Sequence, residues 1–115
     1  MRYLLMIYAD QASMPQNEAE LGAMWAEYGS FGRWLEETGQ FLGGEALQPI
    51  STATTVAVRD GHRILTDGPF AETKEQLGGY YLINAADLDA AIEAAARIPG
   101  ARTGRVEIRP IMEMG

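Results

Sequence analysis

Cysteine is absent from the 115 residues. That excludes disulfides, thiolate nucleophiles, zinc knuckles and iron–sulfur clusters, and it leaves packing alone to stabilise the fold. The mark of a small secreted scaffold is missing with it, which fits a reducing compartment. Histidine occurs once, at His62, and lysine once, at Lys74. One histidine cannot build a multi-histidine metal site, and no carboxylate spacing of a magnesium site is recognisable. No metal and no cofactor are expected. Nine basic residues stand against sixteen acidic ones, a net charge of -7. The arginines are scattered and form no basic stripe, which disfavours nucleic acid as a direct partner. Long apolar runs are missing too: the run Tyr3–Ala9 is too short for a signal-peptide core or a membrane span. A cytoplasmic protein without a membrane partner is the default expectation. No GxGxxG, P-loop or GxSxG motif occurs. Gly43-Gly44 and Gly78-Gly79 are not phosphate loops, because neither leads into a helix N-terminus.

What is present belongs to an ordinary globular chain, 47% hydrophobic and 22% charged. The length fits a single domain over residues 1–115. For a 12.6 kDa chain, surface scaling predicts a folded area of about 6,200 Å² against about 18,000 Å² unfolded, enough for a real core.

Residues 2–8 read as a strand with Tyr3, Leu5 and Ile7 on one side and Leu4, Met6 and Tyr8 on the other. Both faces are apolar, so both are expected to be covered. After a loop with Pro15, Asn17 and Glu20 form the signature of a capped helix start. A helix over 18–38 follows, with Leu21, Met24, Trp25, Tyr28, Phe31 and Leu35 on one face and Arg33 and Glu37 opposite. On that pattern Trp25→Ala is expected to cost about 3–5 kcal/mol and Glu37→Ala less than about half a kcal/mol. Gly39 fits the position that ends the helix. Residues 41–48 form a second strand stopped by Pro49. Residues 53–59 and 62–66 form a hairpin around Asp60-Gly61. An irregular segment follows, and then a strand over 79–85, again apolar on both faces. Asp87 caps a short helix whose buried stripe is expected at Leu88, Ala91, Ile92 and Ala95, and Pro99-Gly100 ends it. Residues 105–112 form the last strand.

The order β, α, β, hairpin, β, α, β predicts an α+β fold, a ferredoxin-like split βαβ with a β-hairpin insertion. Two helices cover only one face of such a sheet. The other face then needs an identical sheet, which predicts a homodimer.

The segment Asp67 to Ile83, DGPFAETKEQLGGYYLI, resembles the signature of the DGPF branch of the YCII-related family. The resemblance rests on Asp67-Gly68-Pro69-Phe70, Glu72, Lys74-Glu75 and Gly78-Gly79. Gly44-Glu45-Ala46-Leu47 and Val106-Glu107-Ile108-Arg109-Pro110 support it, so it covers essentially the whole chain. It implies a dimeric α+β barrel in a bacterial protein of undefined activity, with some members associated with alternative sigma factors. The wider family is similar to enzymes in which a His–Asp pair lines a dimer cleft. Here the first helix has no histidine, and His62 lies beside the hairpin turn.

Asp67 carries two readings. It is a turn residue bonding backbone N–H groups, or a catalytic carboxylate at a cleft rim. Glu72, Lys74 and Glu75 are a solvated charge run, or ligand contacts on a functional loop. Glu107 and Arg109 share a face of the last strand, either protecting an edge or forming a polar patch in which Arg109 clamps an anion. Tyr80 and Tyr81 face opposite sides of their strand, and Tyr81 is assigned to the cleft. The candidate set is Asp67 as catalytic residue with Glu72, Lys74, Tyr81 and Arg109 as ligand contacts. Two functions follow as expectations. One is a small-molecule-binding homodimer, its ligand anionic if Lys74 and Arg109 hold it, with acid–base chemistry at Asp67. The alternative is a non-catalytic regulatory module associated with a sigma factor.

Overall fold

The computed structural model describes residues 1–114. Strand β1 (Arg2–Ala9) sets the geometry: Tyr3, Leu5 and Ile7 are buried, while Leu4, Met6 and Tyr8 on the other face are only half-buried. Helix α1 (Glu18–Glu37) starts at Asn17, whose Oδ1 accepts the Glu20 N–H at 2.8 Å. Gly39, at a φ of 72°, ends it. Strand β2 (Phe41–Ala46) follows, then β3 (Thr54–Arg59), β4 (His62–Asp67) and β5 (Gln76–Asn84). Helix α2 (Leu88–Ala96) is capped by Asp87, which accepts from the Ala90 N–H at 2.9 Å. Strand β6 (Arg105–Pro110) completes the chain's regular structure.

The main sheet has the order β2-β5-β1-β6, and every neighbouring pair is antiparallel. β1 and β2 therefore run parallel with β5 between them, and β5 and β6 run parallel with β1 between them. Each parallel pair is bridged by one helix, the doubled split βαβ of a ferredoxin-like α+β fold. β3 and β4 form a separate two-stranded sheet closed by Asp60 and Gly61, at φ 51° and 77°. Strand β5 begins three residues earlier than the sequence pattern predicts, because a register shift at Ile7/Tyr8 lets Leu77 and Gln76 continue the ladder.

Both helices lie on the face of Tyr3, Leu5 and Ile7. The core is these residues with Phe31, Leu35, Ile83, Ala85, Ala91, Ala94, Ala95 and Ile98. The expected stripe of α2 is rotated: Ala91, Ala94 and Ala95 are buried, whereas Leu88 and Ile92 are exposed. Alanines let the helix backbone approach the sheet, and the branched side chains turn outward where there is room. The expected burial of Trp25 also fails, since 51% of it is exposed and Leu21 is exposed beside it. The N-terminal half of α1 stands off the sheet and leaves a space between them, so only Phe31 and Leu35 reach full burial on α1.

The opposite sheet face carries Leu4, Met6, Tyr8, Tyr80 and Leu82, with Arg105, Glu107 and Arg109 of β6 in register beside them. The chain is a flat body of 47 × 47 × 18 Å with a radius of gyration of 16.1 Å, against about 13 Å for a compact domain of this length.

Candidate functional site

The gap between α1 and the sheet is a cleft. A space of about 880 Å³ opens between the N-terminal half of the helix and the sheet. Ile7, Gly44, Gly79 and Tyr81 form its floor, and Met24, Trp25 and Tyr28 its roof. Gly44 is required there by close approach. A Cβ at this position would lie 2.8 Å from both the Tyr80 carbonyl oxygen and Tyr81 Cδ1. The 3-10 turn Pro99–Ala101 closes one side. Its Gly100 N–H donates to Tyr28 Oη at 3.2 Å.

Two phenols face this space. The Tyr81 ring sits edge-on to Phe31 at 5.0 Å between centroids, and Trp25 lies 6.1 Å from Tyr28. Burial raises the pKa of both hydroxyls. The Gly100 N–H opposes the rise at Tyr28 by favouring its phenolate, and the neighbouring Tyr28 adds to the rise at Tyr81. Both are therefore neutral at physiological pH, and each hydroxyl offers a proton to an acceptor. At the rim Arg102 pairs with Glu27 at 2.6 Å, and the Asp10 carboxylate is spent on the Ala12 N–H at 3.0 Å. Four acidic residues line the cleft, Asp10, Glu20, Glu27 and Glu45, against one arginine already paired.

Of the residues singled out in the sequence, Tyr81 lines this cleft. Lys74 lines a second, shallower one with Tyr8, Thr73, Glu75, Arg105 and Glu107, where Glu75 pairs with Arg105 at 3.0 Å. Arg109 lies on the open sheet face and contacts Glu107 at 3.4 Å. Glu72 is exposed, as is Asp67 at the end of β4, opposite Thr54. The turn after Asp67 is held by the Gly68 N–H to the Ala53 carbonyl and by Thr55 Oγ1 to the Gly68 carbonyl, both at 2.7 Å. Neither cleft gathers Asp67, Glu72, Lys74, Tyr81 and Arg109 together. Trp25 and Tyr28 were legible only as core, Gly100 only as part of a helix stop, and Arg102 not at all.

Among the described residues no helix is long and apolar enough to cross a membrane. The model of the YCII-related domain matches residues 1–115. An uncharacterised protein of Rhizobium meliloti (strain 1021) is 35% identical over 114 residues, covering 96% of this chain and 92% of that one. The match runs through both crossovers, the hairpin and the cleft alike, and the chain belongs to the YCII-related family.

Proposed function

We propose that this protein binds a small, neutral, largely apolar molecule in the cleft beneath α1, and that it does so as a homodimeric α+β barrel. The cleft carries the reading: apolar walls, an aromatic roof and two neutral phenols suit a flat molecule with one or two hydrogen-bond acceptors. Four carboxylates against one paired arginine disfavour an anion in this cleft, which narrows the ligand class expected from Lys74 and Arg109. The dimer is supported by the apolar open face of the sheet, which two helices cannot cover. The run Asp67–Phe70 supports membership of the DGPF branch. Acid–base chemistry by Asp67 requires that carboxylate to reach a cleft it does not line in its own chain.

Matched probes test the ligand class. Benzamide and benzoate share a shape and differ in charge. A ligand that binds only the native state raises its melting temperature. Benzamide and related neutral ring amides are expected to raise it and benzoate to have less effect, with the gain reduced in Tyr28→Phe and Tyr81→Phe. Emission from Trp25, isolated by Trp34→Phe, is expected to change on binding. Stabilisation by benzoate alone, or an equal gain in both tyrosine variants, would overturn the reading.

A further inference from the structure

The β3–β4 hairpin packs little against the rest of its own chain. It forms its own sheet, and two strands alone are marginal in water. Opposed residues of an antiparallel pair share a face, which places Val56, Val58 and Leu65 together. All three are more than half exposed, and Ile64 on the other face is exposed as well. Beyond the hairpin, Phe70 is 90% exposed. Yet no residue from 51 to 75 lines the cleft beneath α1, although the hairpin leaves the body at that end of the sheet, between Ala46 and Gln76.

We propose that the hairpin is an exchanged arm, which packs its Val56–Val58–Leu65 face over the mouth of the cleft on a second copy of this chain. The inference rests on the dimer proposed above and names the element that completes each site. Three observations select a second copy as the occupant. The first is area. The chain exposes 8102 Å², about 1,900 Å² more than a compact monomer of its mass, and a stable interface needs about 800 Å² from each partner. The second is a matching surface on the same chain: Trp25 on α1 and Leu47 after β2 are exposed apolar groups of the cleft, and Leu21 is exposed one helical turn before Trp25. The third is charge. In the arm Arg59 and Arg63 balance Asp60 and Asp67, so the chain's -7 lies entirely outside it. The cleft it would meet is lined by Asp10 and Glu20, and Glu18 opens α1 beside them. Arg63 shares the arm's apolar face with Val58, directly opposite it in the ladder. A reciprocal contact of this kind closes under two-fold symmetry and leaves no free copy of either surface.

The absence of cysteine makes the contact testable in the full-length chain. One preparation carries Val58→Cys and the other Leu21→Cys; they are mixed in equal amounts and oxidised. A disulfide joining one chain of each kind is expected, since only the introduced thiols are present. In parallel, Leu65→Arg is followed by sedimentation equilibrium, with circular dichroism as the check on folding. A rise of at least tenfold in the dimer dissociation constant is expected. A wild-type dimer that Leu65→Arg leaves unchanged would overturn the arm and leave the dimer standing. Disulfides only between two Val58→Cys chains would mean that arms pair with each other, which also overturns it. A wild-type chain that sediments as a monomer would overturn the dimer itself.

Discussion

The phenols of Tyr28 and Tyr81 make a titration forecast that belongs to single residues. Burial holds both pKa values above the ordinary tyrosine value. A folded pKa above the unfolded one means that the native state keeps its proton longer. The resulting stability is complete below about pH 10, the unfolded value, and is lost as pH rises through the raised values. Ultraviolet titration of the five tyrosines should show a late fraction that moves earlier in Tyr28→Phe, and the melting temperature should fall above pH 10. Packing makes a second forecast at this scale. Leu35 is fully buried, so Leu35→Ala should cost about 2–5 kcal/mol. Trp25→Ala removes a half-exposed side chain and should cost about 1–2 kcal/mol, well below the value its position on the helix stripe suggested. Denaturant melts of the two variants decide this, and equal losses would place Trp25 in the core after all.

Among the elements, β2 approaches β5 so closely that a side chain at Gly44 has no space. Both the Tyr80 carbonyl and the Tyr81 ring lie 2.8 Å from a Cβ built there. Gly44→Ala should therefore displace Tyr81 or lift the edge strand, destabilising by about 1–3 kcal/mol and weakening any ligand bound on the cleft floor. The near-ultraviolet signal of the aromatic cluster should change with it. The hairpin gives the complementary case. Its backbone ladder is complete from Thr54↔Asp67 to Arg59↔His62, but little apolar burial supports it within the chain. Amide exchange at Val56 and Leu65 should be slow at high protein concentration and accelerate on dilution. Exchange independent of concentration would mean that the hairpin is stable by itself.

At the scale of the whole molecule, a surface about 1,900 Å² larger than that of a compact monomer makes the proposed dimer testable. Sedimentation equilibrium at micromolar concentration should return about twice the 12.6 kDa chain mass. Because binding between copies stabilises the native state by mass action, the melting temperature should rise with protein concentration. A melting temperature flat across a hundredfold range, with a clean monomer mass, would refute the dimeric barrel.

Local rules were sufficient for much of this architecture. Apolar alternation in residues 2–8, capping by Asn17 and Asp87, the Asp60-Gly61 turn and the order of elements each depend on neighbours a few positions apart, and these rules predicted a ferredoxin-like α+β chain with an inserted hairpin. They also put Tyr80 and Tyr81 on opposite faces, since strand alternation is a period of two, while the pairing Leu5↔Tyr81 decides which of them takes the core side. They failed where the distance between two elements decided burial. Trp25 repeats at helical spacing with Phe31 and Leu35, so the pattern groups all three, and only the gap between α1 and the sheet separates the covered residues from those above the cleft. Leu88 and Ile92 were misplaced for a related reason: hydrophobicity marks them for burial, while close helix–sheet contact favours the smaller Ala91, Ala94 and Ala95. Tyr28 meets Gly100 across 72 positions, and Glu27 meets Arg102 across 75. Contacts at such separation follow from the crossover through α2, and no periodicity along the chain encodes them.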